Sequence, residues 1–471
     1  MMKRLEIKLV FLFLITITLC SCNKWLEIQP EDRFTEAQVF SSQQGFEDAL
    51  NGVYLGISNG NLYGGNLTLS LLDILAQSYK ISSSTGNYKN IITYNYGESD
   101  LRSRFNAIWN DAYTNIANIN QLLVNLDRYS SHIPAQRAKI MKGELLGLRA
   151  FLHFDLLKLY GPVYNSADST DLSIPYYHKL SSEIGSFQPA NKVMDLILSD
   201  IQAADQCLAT DAVKTEGNSN YLNKYRFNYY ANKALAARVC LWRNDKPGAL
   251  KCAKEIISAS SLFPWITAAG LTGALPNPDR IFSTELLFGV FTKDLYTTYD
   301  KLFHPELNPE DILSIGSAAY LKTTIYEDKS NDYRYGVYMW NVPPVGVSFP
   351  AFFKYAEVID KTKNFRNTVP VIRLSEMYYI AAEAEPDATI ALNYINTVRT
   401  NRGIPSLSTT ASINQEIGKE YIKEFYGEGQ LWYYYKRNKI TSVISPNSST
   451  TVSIPLEAFM FRMPDSEISN R

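Results

Sequence analysis

Two kinds of side chain in this sequence could do chemistry: carboxylates close together on one helix, and aromatic rings crowded into polar loops. Glu376, Glu383 and Glu385 are the candidate carboxylates. Glycoside hydrolysis needs two carboxylates roughly 5–9 Å apart across a cleft. Glu376 and Glu383 are instead seven residues apart on one predicted helix, about 10 Å along its axis. They are expected to pair with neighbours such as Arg373, on the same helix face as Glu376. No GxSxG elbow, Walker loop or GxGxxG follows a recognisable strand. Gly427 and Gly429, in YGEGQ, follow a helix and lack the rest of a phosphate-binding context. His132, His153, His178 and His304 are scattered and none sits in an HExxH pattern, so neither a metal site nor a cofactor is expected. Local sequence supports no catalytic residues.

The aromatic residues point to recognition. The chain holds 32 Tyr, 22 Phe and 6 Trp, and most must pack the interior. Two groups stand in polar loops, however. Tyr63, Tyr79, Tyr88, Tyr94 and Tyr96 surround Gly/Asn-rich turns; Tyr296, Tyr299, Tyr333, Tyr335, Tyr338 and Trp340 lie in a stretch without helical period. A sugar ring has an apolar face of C–H groups and a rim of hydroxyls. It therefore suits an aromatic platform flanked by hydrogen-bonding groups. Asn87, Asn95, Asp100, Asp332 and Arg334 are the candidates for that rim.

The elements that must position these residues are mostly helical. Thr35 with Gln38 has capping-box spacing, and Phe46, Leu50, Val53, Tyr54 and Ile57 follow at helical intervals. A second helix is expected around residues 67–79. Phe105, Ile108, Trp109, Ala112, Tyr113, Ile116 and Ile119 mark a long helix, and Leu145, Leu148, Leu152, Leu156 and Leu159 mark another, stopped by Gly161-Pro162. A further helix covers about 191–208. Residues 229–242 and 249–258 form a helical pair whose small Ala234, Ala236 and Ala237 resemble a tetratricopeptide hairpin. A second pair is expected at 372–384 and 388–399. Residues 261–370 mix Pro, Gly, Asn and aromatics with short apolar runs such as ELLFGVF. They read as a loop-rich insertion with a few short strands, of the kind that carries function on a rigid scaffold.

The N-terminus sets the location. Lys3, Arg4 and Lys8 precede an apolar run, Leu9 to Leu19, which as a helix rises about 16 Å against a hydrocarbon core of roughly 30 Å. This reads as a secretory signal over residues 1–21. Leu19-Cys20-Ser21-Cys22 fits the pattern cleaved by a bacterial lipoprotein signal peptidase, making Cys22 the lipidated N-terminus. Residues 22–33 would be a tether, and residues 34–471 a single body. The chain's net charge of −1 gives no electrostatic footprint for nucleic acid. Cys207, Cys240 and Cys252 have no CxxC spacing; a Cys240–Cys252 bridge is conceivable, and buried thiols fit the helical setting better.

Nine segments occur in an order that resembles the SusD/RagB family of outer-membrane nutrient-binding lipoproteins of the Bacteroidetes. After the Cys22 motif come VFSSQQGFEDALNGVY (39–54), WNDAYTNIANIN (109–120), GELLGLRAFLHFDLLKLYGPV (143–163) and IPYY (174–177). AARVCLW (236–242), RLSEMYYIAAEA (373–384), LNYINTVRTNRGI (392–404), EIGKEYIKEFYGEGQLWYYYKR (416–437) and IPLEAF (454–459) follow. The resemblance implies a mostly α fold, a tetratricopeptide-like scaffold of helical pairs packed against an irregular lobe. It also implies no catalytic activity and no cofactor. The implied role is capture of oligosaccharides at the outer-membrane surface, as a lid on a SusC-like TonB-dependent transporter. Carried over to this chain, the family's binding positions fall at Tyr94, Asn95, Tyr96, Asp100, Tyr296 and Trp340. Peptide recognition on the same scaffold is the second reading, and a secreted glycoside hydrolase with distant converging carboxylates the third.

Overall fold

The computed structural model describes residues 35–469, apart from 83, 166–167, 182, 337–338, 342–348 and 449. The Cys22 lipidation motif, the tether and Tyr338 lie outside the described residues. The helices of eight or more residues are α1 (Gln43–Ile57), α2 (Ser99–Arg128), α3 (Ala135–Tyr160), α4 (Ala190–Cys207), α5 (Tyr229–Trp242) and α6 (Lys246–Ser258). They continue with α7 (Leu295–Leu302), α8 (Leu374–Ala384), α9 (Ala388–Asn401), α10 (Ile413–Glu424) and α11 (Gln430–Asn438). None of the described helices is long and apolar enough to cross a membrane.

Apolar spacing by threes and fours builds the first layer. Phe46, Leu50, Val53 and Ile57 form the buried face of α1, which packs on α2, and α2 on α3. The Thr35–Gln38 capping box forms, but it caps a separate four-residue helix, Glu36–Val39. From Gly143 onward α3 is buried on all sides, not on one leucine stripe, because α2, α4 and α5 all contact it. Gly147 is what admits one of its neighbours: a Cβ there would sit 2.5 Å from the Phe227 ring. Polar residues at the centre of α3 are matched. Arg149 donates two bonds to Asp200 of α4, at 2.7 and 2.6 Å, and one to the Asn120 side chain of α2 at 2.7 Å. His153 is fully buried, with Nδ1 against the Arg149 carbonyl (2.9 Å) and Nε2 accepting from the Tyr177 N–H (3.1 Å). That arrangement assigns the neutral Nδ1–H tautomer, and burial pushes its pKa down to about 3.

The two expected helical pairs are present, with shifted ends. Asn244 at φ 65° makes the turn between α5 and α6, and the Asp245 carboxylate caps α6 by accepting from Gly248 N–H at 3.0 Å. Asp387 caps α9 through the Thr389 and Ile390 amides. The α6 helix packs on α8, stacking one pair on the next. The expected helix start at 372 is incorrect: Thr368–Arg373 is a strand and α8 begins at Leu374. The β-branched TVPVIR run favours extended backbone, and all six of its residues are buried. The expected helix over 67–79 shrinks to Leu71–Leu75. Thr68 and Ser70 hydroxyls bond back to the Tyr63 and Gly65 carbonyls, offering the backbone an alternative to helix.

Three short two-stranded pairings occur among the described residues. β1 (Leu286–Phe291) pairs antiparallel with β4 (Thr368–Arg373), so the two ends of the insertion meet in one ladder. β2 (Trp340–Asn341) pairs with β3 (Ala351–Phe352), and near the C-terminus β5 (Ser442–Val443) pairs with β6 (Val452–Ser453). The insertion also contains α7, a helix its sequence texture did not announce.

Where the irregular lobe meets α9 and α10, a fully buried ion network forms. Arg402 donates to Glu285, just before β1, at 2.8 and 2.6 Å, and to Glu424 of α10 at 3.0 and 2.6 Å. Arg334 reaches Asp332 (2.8 and 2.7 Å), Glu420 (2.8 Å) and Glu424 (3.0 Å). Arg373, at the end of β4, bonds Glu424 and Glu428, and Arg399 bonds Glu420 at 2.8 Å. The surrounding guanidiniums hold the Glu424 and Glu420 carboxyls down against the opposing effect of burial, Glu420 to about 2. Beside the network the Gly427 and Gly429 amides, both at positive φ, donate to the Asp73 carboxyl at 2.5 and 3.2 Å. The carboxyl group this glycine turn holds is therefore the chain's own. Burial nevertheless raises Asp73 to about 8.

Candidate functional site

Helix α7 and two loops enclose an open groove of 720 Å³ in the irregular lobe. Because α7 turns once every 3.6 residues, Leu295 faces inward while Tyr296 and Asp300 stand at the groove side, and the largely buried Tyr299 reaches the groove wall from beneath them. The loop after α7 contributes His304, Glu306 and Asn308, and the segment after β2 contributes Phe349, Phe353 and Glu357. The walls are thus aromatic and the rim carboxylate, imidazole and amide.

Each ring is held. The Tyr296 hydroxyl accepts from the Asn367 N–H at 3.1 Å, and the Arg366 guanidinium lies 5.4 Å from its ring centroid. Partial burial raises the Tyr296 phenol above its ordinary range. Hydrogen bonding from Lys361, with Arg366 alongside, holds the Glu357 carboxyl below its ordinary range. His304 Nδ1 accepts from the Glu306 N–H at 3.3 Å, so in the neutral ring Nε2 carries the proton. Tyr299 is 4% exposed and packs on Phe303 and Phe353, yet its hydroxyl has no hydrogen-bond partner among the described residues. Buried phenols ordinarily find one.

The loop bearing the first aromatic group adjoins this groove. Asn87 donates to Asp311 at 2.6 Å, and Asp311 also accepts from Asn308, a groove residue, at 3.4 Å. Lys80 N–H bonds the Ser314 carbonyl at 2.7 Å. Lys80 and Asn87 are therefore joined to the loop that carries Asn308, Asp311 and Ser314.

Of the six sequence-predicted binding residues, Tyr296 alone lines the groove. Asn95 and Asp100 are exposed on the neighbouring segment, where Asp100 accepts from Asn90 at 3.0 Å. Tyr94 and Tyr96 turn their phenols inward. Tyr94 donates to the Leu75 carbonyl (3.0 Å), accepts from Gln77 (2.8 Å) and stacks near Trp432. Tyr96 donates to the Ala458 carbonyl (2.6 Å) between Phe105 and Phe461. Trp340 is 1% exposed, packed on Phe352 and Tyr426 through the β2–β3 pairing. It is a core residue in this structure, not an open platform. Asp332 and Arg334, expected at a sugar-binding rim, instead belong to the buried ion network. Glu376 pairs with Arg238 of α5 and not with Arg373. Glu383 is held by Arg437.

Phe349, Phe353, His304 and Asn308 line the groove without being among the sequence-predicted binding residues. The signal was present in SFPAFFKY (348–355) and HPELNPE (304–310), where aromatics and Pro/Asn turns alternate. Among the described residues no cluster of His, Cys, Asp or Glu has metal-holding geometry. A larger cleft of 1250 Å³ lies elsewhere, among α5, α10 and α11, and none of the six predicted residues lines it.

Two family models match separate stretches of the chain. Residues 24–241 match a family described as "Starch-binding associating with outer membrane", and residues 316–454 match the SusD family. SusD-like protein P25 of Formosa agariphila is 22% identical over 83% of this chain and 80% of its own length. SusD-like protein P2 of the same organism is 26% identical over 44% of this chain, an alignment spanning 38% of that relative. Among solved structures, a SusD superfamily protein from Bacteroides thetaiotaomicron superposes with a TM-score of 0.71 at 20% identity, over 91% of this chain and 98% of its own. A SusD-like carbohydrate-binding protein from Bacteroides vulgatus gives 0.70 at 18% identity, over 91% and 96%. Surface glycan-binding protein A from Bacteroides thetaiotaomicron gives 0.64 at 17%, over 92% and 98%. At these identities the structural likeness carries the fold.

Proposed function

Because the chain belongs to the SusD/RagB family, a family of non-catalytic binding proteins, we propose that it captures oligosaccharides at the outer-membrane surface and passes them to a SusC-like TonB-dependent transporter. The observation that carries this reading is the Tyr296–Phe353 groove. Its 720 Å³ falls within the roughly 300–1,000 Å³ of small-molecule sites. Aromatic walls suit the C–H faces of a sugar, and Asp300, Glu306, His304 and Asn308 supply acceptors and donors for its hydroxyls. Relatives described as starch-binding, carbohydrate-binding and glycan-binding support the same ligand class.

Tyr296 is the platform, with Asn95, from the adjoining segment, and Asp100, from the first turn of α2, extending the polar rim. Tyr94, Tyr96 and Trp340 hold those loops in place from beneath. Residues 34–471 act as one capture body, and lipid on Cys22 with residues 22–33 as tether keeps it beside the transporter.

Calorimetric titration against panels of oligosaccharides and of peptides tests the ligand class. At least one oligosaccharide should bind saturably, with Tyr296→Ala weakening it tenfold or more and no product accumulating. Saturable binding of peptides alone, or sustained cleavage of a glycan, overturns the reading.

A further inference from the structure

The 1250 Å³ cleft on the helical side has a composition unlike the groove. Its floor is apolar, with Trp242, Ile422, Tyr434 and Ile440 among the lining side chains. Its acidic residues are already matched: Glu383 accepts from Arg437 at 2.7 Å, and Glu327 from Lys419 and Lys423 at 2.9 and 3.0 Å. Two exposed cations at the lining, Lys246 and Lys439, have no ion-pair partner among the described residues. The cleft therefore presents uncompensated positive charge above an apolar floor, on a chain whose net charge is −1.

One wall has a second property. Ser442, Val443 and Ile444 line the cleft in succession. Side chains of a strand alternate between its faces, so consecutive lining residues mean that this segment turns its backbone edge to the cleft. β5 has a single partner, β6, which leaves its other edge unpaired within the described residues. An unpaired edge of this kind accepts an added strand.

We propose that the cleft is a docking site for an extended peptide segment of a partner protein, apolar with interspersed Asp or Glu, added beside β5. Apolar side chains of the peptide would cover the Trp242 and Tyr434 floor, its backbone would bond the β5 edge, and its carboxylates would meet Lys246 and Lys439. The site is separate from the glycan groove and does not depend on it.

The test selects a phage-displayed random octapeptide library on the full protein, then synthesises the enriched peptide. Enrichment of Asp or Glu between apolar residues is expected. The Lys246→Glu/Lys439→Glu double variant should keep its circular dichroism and oligosaccharide binding while losing at least tenfold in affinity for that peptide. N-methylation of alternate peptide amides should abolish binding. Enrichment of basic peptides, no enrichment, or affinity untouched by the charge reversal overturns the site. Tolerance of N-methylation overturns strand addition. Equal displacement by a sulfated oligosaccharide makes the cleft an anionic-glycan site, and equal displacement by a synthetic peptide of residues 23–34 makes the occupant the chain's own tether; either result overturns the proposal.

Discussion

Replacing Glu424 by Gln removes one charge and almost no volume from the junction between the irregular lobe and the helices. The Glu424 carboxylate receives bonds from three arginines, Arg334, Arg373 and Arg402, and every member of that set is at most 2% exposed. With the charge gone, the three guanidiniums share Asp332, Glu285, Glu420 and Glu428 alone. Breaking a buried ion pair by removing one partner costs about 3–5 kcal/mol, out of a total stability of about 5–15 kcal/mol. Unfolding entropy grows with chain length, so for a protein of this size that loss lowers the melting midpoint by roughly 3–6 °C. The effect depends on pH. The arginines depress the Glu424 carboxyl in the folded state, so its contribution is complete above its unfolded pKa and declines as pH falls through its folded value. Wild type and Glu424→Gln should therefore differ most at neutral pH and converge in acid. Thermal melts from pH 7 to pH 3 measure this, and amide hydrogen exchange should show faster opening at 285–291 and 326–336 in the variant. A variant as stable as wild type at pH 7, or a gap constant with pH, would refute the view that this charge cluster locks the lobe to the scaffold.

Two other perturbations probe the fold. His153 is neutral when folded, with its pKa lowered to about 3 by burial. Its stabilising contribution is complete above the unfolded pKa of roughly 6.5 and falls by about 1.4 kcal/mol per pH unit below it. Denaturant titrations should show a shallower acid slope, by one proton between those limits, in His153→Gln; an identical slope contradicts the assignment. Gly429 sits at φ 71°, and a Cβ there would lie 2.2 Å from the Leu67 carbonyl oxygen. Gly429→Ala should destabilise by about 2 kcal/mol or more, read as a lower denaturant midpoint, and a loss below 0.5 kcal/mol on that same scale contradicts the packing argument.

What could be read from the sequence was what depends on neighbours in the chain. The buried faces of α1 and α2 follow from apolar spacing, and the α5–α6 and α8–α9 pairs from helical runs rich in small residues broken by short polar turns. Charge partners were not legible, because Arg402 meets Glu285 across 117 residues and Arg238 meets Glu376 across 138. Loop texture marked where aromatics gather but not which side of the lobe they face. Tyr296 opens on a groove, whereas Trp340, from the same texture, closes the core under Phe352. The groove itself needs three segments, 295–300, 304–308 and 349–357, brought together by the β1–β4 and β2–β3 pairings. No local pattern announces that convergence.

The proposed function rests on ligand capture in the Tyr296–Phe353 groove. Amide hydrogen exchange with and without a saturating oligosaccharide, chosen from the calorimetric panel, tests it most directly. Capture in the groove should slow exchange at residues 295–309 and 349–357, with no change along 414–444. Protection along 414–444 instead, or saturable binding that leaves 295–309 and 349–357 unchanged, would contradict it.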